Sequence, residues 1–166
     1  SFSLITSVLN SHWINDLPRF FKKISQVLAE DGVFIASLFG GMTLKNLRRA
    51  IIKAEIASGL GHSAHISPFA NADDIYRLLQ QAGFAFVVVD SQKIEVEYES
   101  PFDLMRDLQD MGEANNLTEG SRILPKSLLQ QLSAANTEAF LDNFEIITLT
   151  CSKSNVAFTC DKDDQD

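Results

Sequence analysis

Asp31-Gly32-Val33-Phe34-Ile35-Ala36-Ser37-Leu38-Phe39-Gly40-Gly41 decides the fold. A turn signal opens the stretch, a run apolar at nearly every position follows, and a double glycine closes it. Such a run fits a strand buried on both faces better than a half-exposed one, which points to a parallel sheet inside an α/β domain. In these sheets ligands lie beyond the carboxyl ends of the strands, so Leu38 to Gly41 is the first place to look for chemistry.

Upstream, Ser1 to Leu9 alternates loosely and reads as a first strand, with Asn10-Ser11-His12-Trp13 as a polar and aromatic loop at its carboxyl end. Asp16 is a good N-cap for a helix in which Leu17, Phe20, Phe21, Ile24, Val27 and Leu28 recur on one face. Glu30-Asp31-Gly32 closes that helix and feeds the central strand, which makes a β-α-β unit, right-handed by strong default.

Downstream, Thr43 caps a helix carrying Leu44, Leu47, Ile51 and Ala54 as an apolar stripe that ends near Gly59. Residues 58–69 read as a loop holding His62 and His65. Asn71, with Asp74 three residues on, caps the next helix, whose Ile75, Leu78, Leu79 and Ala82 face inward and which Gly83 terminates. Phe84 to Asp90 is the third strand, and the alternation of Ile94, Val96 and Tyr98 predicts a wet face on its extension. Ser100-Pro101 starts a helix that runs to Met111 and stops at Gly112. Pro125 opens another through Leu128, Leu129, Leu132 and Ala135. Phe144 to Cys151 is the last strand, and residues 154–166 read as a disordered acidic tail.

The totals restrict the function. The 166 residues suffice for one domain with a real core, and the net charge of −8 repels a phosphate backbone, so nucleic acid is excluded as a general partner. No apolar run is long enough to span a membrane. Cys151 and Cys160 lack metal-ligand spacing and read as reduced thiols in a cytosol-like compartment. The three histidines are spread out with no His-x-x-x-His, which argues against a metal centre. Phe2, Leu4 and Ile5 already belong to a strand, so the chain reads as a piece of something longer.

Three segments in this order carry a resemblance: Asn10-Ser11-His12-Trp13-Ile14-Asn15-Asp16-Leu17-Pro18, then Asp31 through Gly41, then His65-Ile66-Ser67-Pro68-Phe69 leading to Ala82-Gly83-Phe84. Together they resemble the carboxyl-terminal half of a class I S-adenosylmethionine-dependent methyltransferase. More narrowly, they are similar to the group containing malonyl-carrier-protein O-methyltransferases and a mitochondrial complex I assembly factor that is an arginine hydroxylase. Ser100 to Leu108 and Met111-Gly112-Glu113 match the latter closely.

The resemblance covers residue 1 to about 150. It implies an α/β fold, a partial Rossmann-like sheet made of strands four to seven of the family order. Those strands would lie as four, five, seven and six, the last strand antiparallel between its neighbours, with flanking helices and a helical lid insertion at about residues 100–141. The domain then occupies residues 1–153.

One departure matters. The glycine-rich turn after a first strand and the acidic residue after a second, which hold the cofactor in that family, do not occur here; Gly59-Leu60-Gly61 lies between helices. Against the family, the chain begins at strand four and lacks the half that grips adenosine and ribose. This implies an enzyme whose present chain is inactive by itself and binds S-adenosylmethionine weakly or not at all. Phe2 to Leu9 would be a bare sheet edge, expected to pair with a separate amino-terminal half or with a second copy.

The site residues follow from the same resemblance. His12 and His65 are the catalytic candidates, Asn10 and Ser11 the cofactor contacts, and Trp13, Phe39, Gly40, Gly41 and Phe69 the substrate contacts. Val8 stands where relatives commonly carry Asn. Glu55 and Arg106 read as solvated helix positions.

Two functions are open. One is the acceptor side of a methyltransferase-like enzyme acting on a carboxylate of a carrier protein or on a protein side chain. The other is a non-catalytic partner-binding or assembly module, or a truncated scaffold without the donor site. The compartment expected is cytoplasmic, or the mitochondrial matrix in a eukaryote.

Overall fold

The computed structural model describes residues 1–58, 69–113 and 139–154. The elements are β1 (Phe2–Val8), α1 (Leu17–Val27), β2 (Leu28–Phe39), α2 (Lys45–Ser58), α3 (Ala72–Gln81), β3 (Phe86–Tyr98), α4 (Pro101–Asp110) and β4 (Phe140–Ser152), with a 3-10 turn at Ser11–Trp13. The strands form one mixed sheet in the order β1-β2-β4-β3, the order the resemblance implied, and β1 pairs parallel with β2. β2 is an interior strand. The expected helix after Pro125, the loop bearing His62 and His65, and the acidic tail beyond Ser154 lie outside the described residues.

Three helix starts obey local chemistry. Asp16 accepts from the Arg19 amide at 2.9 Å, Asn71 from the Asp74 amide at 2.8 Å, and Ser100 from the Asp103 amide at 3.3 Å with Pro101 at the first helical position. Each satisfies a backbone donor that the first turn leaves without an intrahelical partner. Past the ends of α3 and α4, Gly83 at φ 94° and Gly112 at φ 78° take the left-handed conformation that halts a helix.

The chain forms two compact units, Ser1–Leu38 with Ala70–Ser91 and Ile147–Asp166, and Phe39–Phe69 with Gln92–Ile146. In the first unit, Phe21 of α1 and Ile75 and Leu79 of α3 cover Phe34, Ala36 and Leu38 of β2 and Ile147, Leu149 and Cys151 of β4. In the second unit, Leu44, Leu47, Ile51 and Ala54 meet Leu104 and Leu108 of α4 and Phe140 of β4. There the Tyr98 hydroxyl is pushed above its ordinary pKa by burial and by Asp107 beside it.

Four expectations need correction. The central strand is covered fully on one face only: Phe34, Ala36 and Leu38 are buried, whereas Ile35 is 40% exposed. The apolar composition of the run hid an alternation that depends on where the helices pack. Glu30-Asp31-Gly32 is no turn but an irregularity within β2, where the register jumps between Phe2↔Leu28 and Leu4↔Val33. Both β3 and β4 are longer than the apolar runs suggested, thirteen residues each, and β4 starts at Phe140. Glu55 is 3% exposed rather than solvated, because it lies on the inward face of α2 beside Ala54. Arg106 does lie at the surface, paired with Asp103.

The two outer strands differ. β1 exposes Phe2, Leu4 and Val8 (61, 56 and 76%), and no charged residue occurs from Ser1 to Asn10. β3 instead carries Asp90, Lys93, Glu95 and Glu97, and Lys93 bonds Glu95 at 2.9 Å, which holds the Glu95 carboxyl below its ordinary pKa. Edge charges of this kind discourage strand addition.

One-sided cover predicts unequal mutational costs along β2. Phe34→Ala should lower unfolding free energy by about 3–5 kcal/mol in urea titrations, and Ile35→Ala by under about 1.5 kcal/mol; equal losses would contradict the one-sided core. Cys151 is fully buried, and its thiol is pushed up to about 12 by desolvation. Iodoacetamide at pH 8 should therefore label Cys151 in the folded chain no faster than the chain unfolds, read by peptide mass spectrometry.

Candidate functional site at the exit of the central strand

Gly40 to Leu44 leave β2 under tight constraint from β4. The Gly40 amide donates to the Glu145 carbonyl at 2.8 Å, and the Thr43 hydroxyl both donates to that carbonyl at 3.1 Å and accepts from the Glu145 amide at 3.0 Å. The Glu145 carboxylate accepts from the Met42 amide at 2.8 Å. The Asn143 side chain donates to the Met42 carbonyl at 2.6 Å, and the Leu44 amide donates to the Asn143 carbonyl at 2.9 Å. These bonds satisfy the Gly40, Met42 and Leu44 amides and the Met42 carbonyl, backbone groups that a strand exit would otherwise leave without partners.

α2 is then capped from a distance. The buried Asp142 carboxylate accepts from the Asn46 amide at 3.1 Å and the Leu47 amide at 2.8 Å, 96 and 95 residues away. The negative charge also complements the positive end of the helix dipole. Thr43, expected to cap this helix, spends its hydroxyl on β4 instead.

Two positions record how closely the turn is built. A Cβ on Gly40 would stand 2.5 Å from Glu145 Oε2, so a larger residue there would push that carboxylate from its place on the Met42 amide. Leu44 sits at φ 57°, a left-handed conformation costly for leucine, held by a side chain buried in the second core. Beside the turn, the Phe39 ring lies 6.0 Å from Phe69 and 5.6 Å from Phe144, an apolar wall of three rings. Phe39, Gly40, Gly41 and Phe69 thus belong to one unit, with Phe39 and Phe69 in direct contact.

The candidates after β1 belong to the other unit. Leu9 takes φ 44°, and its amide donates to the Ser37 carbonyl at 2.9 Å. Ser11 is buried, with its hydroxyl bonded to that of Ser7 at 2.7 Å. Asn10 is exposed, and its carbonyl accepts from the Trp13 amide at 3.2 Å. His12 and Trp13 are half-buried, with rings 5.2 Å apart. His65 lies outside the described residues. Among the described residues no group of three or more His, Cys, Asp or Glu side chains is arranged to hold a metal ion, and no helix is long and apolar enough to cross a membrane.

Asp142, Asn143, Glu145 and Arg48 were not singled out from the sequence. The one available signal was Asp142-Asn143 directly before an apolar run, which reads as a loop unless the distant turn that uses it is known.

No family model matches the chain. A Rickettsia prowazekii protein provisionally named a methyltransferase is 41% identical over 148 residues, 89% of this chain and 66% of its own length. The human mitochondrial arginine-hydroxylase is 41% identical over 140 residues, 84% of this chain and 41% of its own length. A malonyl-[acyl-carrier protein] O-methyltransferase of Gallionella capsiferriformans is 36% identical over 120 residues, 72% of this chain and 39% of its own length. The chain thus spans less than two thirds of these relatives.

Among solved structures, a Bacillus halodurans protein provisionally assigned as a methyltransferase superposes with a TM-score of 0.52 at 15% identity, covering 92% of this chain and 70% of that one. A Bacillus subtilis protein gives 0.51 at 13%, covering 93% and 65%. At such identity these structures speak for the fold alone.

Removing the distant cap should loosen the turn. Asp142→Ala is expected to destabilise the chain by about 1–2 kcal/mol and to speed hydrogen exchange at the Asn46 and Leu47 amides, with Asp142→Asn falling between. Unchanged exchange at both amides would remove Asp142 from this role.

Proposed function

We propose, for a chain that belongs to the methyltransferase-like family of these relatives, that it supplies the acceptor side of an S-adenosylmethionine-dependent enzyme. The acceptor is a carboxylate on a carrier protein or a side chain of another protein. The observation that carries this reading is the pinned turn Gly40–Leu44 at the carboxyl end of an interior strand, where α/β sheets present ligands. Its backbone is held by β4 before any ligand arrives, and the Phe39, Phe69 and Phe144 rings line it with apolar surface. The work of such a site is to align an attacking atom and keep water away.

The donor does not fit the residues present here on their own. The Ser11 hydroxyl is spent on Ser7, and the sequence contains no G-x-G-x-x-G; the double glycine Gly40-Gly41 follows β2 and is held by β4. In this reading the donor side comes from another polypeptide segment, an amino-terminal half that adds its strand to β1; self-association through the same edge is the competing arrangement. Support comes from the uncharged, apolar character of β1 against the charged character of β3. A cytosol-like compartment, or the matrix in a eukaryote, goes with the same reading, in keeping with the mitochondrial name of the human relative.

A second reading is a non-catalytic assembly module, and the engagement of Ser11 within the chain favours it. Titration calorimetry separates the two. The isolated chain should give no heat with S-adenosylmethionine, and adding the amino-terminal half of a relative should restore binding and move the molar mass to that of a complex. A persistent absence of binding in the mixture would favour the second reading.

A further inference from the structure

We infer that Arg48 is a carboxylate-binding residue at the exit of β2, an inference that rests on reading the Gly40–Leu44 turn as the acceptor side. Arg48 lies in the first turns of α2 and is half-buried. Its Nη1 donates to the Gly41 carbonyl at 3.5 Å, the outer limit of a hydrogen bond, and its Nη2 is buried with no acceptor among the described residues. A guanidinium cannot shed its charge, and a buried donor without an acceptor is costly.

The carboxylate oxygens placed around the turn accept from backbone amides. Asp142 is taken up by the Asn46, Leu47 and Asn143 amides, and Glu145 Oε2 by the Met42 amide. The same hydrogen bonds fix the backbone that precedes Arg48, whose own amide donates to the Leu44 carbonyl at 2.9 Å.

Charge along α2 points the same way. Lys45, Arg48, Arg49 and Lys53 put four of the chain's fourteen Lys and Arg residues on this one helix, and its first turn contains no acidic residue. In a chain of net charge −8 this is a local exception. The planar fork of a guanidinium matches the two oxygens of a carboxylate, which fits Arg48 with one nitrogen on Gly41 and another without an acceptor among the described residues.

Sodium malonate is a direct probe, titrated into the ¹⁵N-labelled full chain while the Gly40, Gly41 and Met42 amides and Arg48 Nε are followed by NMR. Saturable shifts are expected. Arg48→Gln, which keeps a donor for the Gly41 carbonyl, should bind about tenfold or more weakly with an unchanged melting temperature, and Arg48→Lys should fall between. Malonamide should give no shifts.

Malonate binding as tight in Arg48→Gln as in the wild type would overturn the inference. So would equal shifts from malonamide, inorganic phosphate or sodium chloride at matched ionic strength. If Arg48→Gln does not fold, Arg48→Lys and the malonamide control decide. The measurement needs no methyl donor, so a failure of the donor-side reconstitution above and a failure of this proposal are told apart.

Discussion

Backbone amides that leave a buried strand must find acceptors, and in this chain Asp142, Asn143 and Glu145 provide them for Gly40, Met42, Leu44, Asn46 and Leu47. The contacts join segments about a hundred residues apart, so the shape of the turn is a property of the tertiary fold and not of its own sequence. Losing one partner of such a bond leaves the other buried and unsatisfied, at a cost of about 1–3 kcal/mol. The start of α2, the left-handed Leu44 and the close approach at Gly40 all follow from that set of bonds.

Local chemistry was readable from the residues and nonlocal chemistry was not. Asp16, Asn71 and Ser100 announce their helices because each cap acts three residues away. Thr43 looks like a fourth member of that set, and nothing within its own neighbourhood reveals that its hydroxyl belongs to β4. Asp142 and Asn143 carry no local signal for the complementary reason: their partners lie in the turn they support. The order of the strands was legible only through family resemblance.

The central strand shows a second limit. Val33 to Leu38 is apolar enough for burial on both faces, but composition reports only what a face tolerates. Where α1 and α3 pack decides which face is covered, and Ile35 is left partly in water. The site candidates were legible to the same degree: the glycines and Phe39 by position after the strand, Arg48 and Glu145 only once coordinates set them around Gly41 and Met42.

The unlike borders of the sheet also limit how this molecule can associate. An endless ribbon needs two adhesive margins on every subunit, one to receive and one to offer. Among the described residues the β3 margin is fenced by Asp90, Lys93, Glu95 and Glu97, whereas β1, the other outer strand, carries no charged residue. A ribbon of these strands would lack the second adhesive margin it needs, so the exposed leucine and phenylalanine of β1 do not by themselves make a building block for fibres.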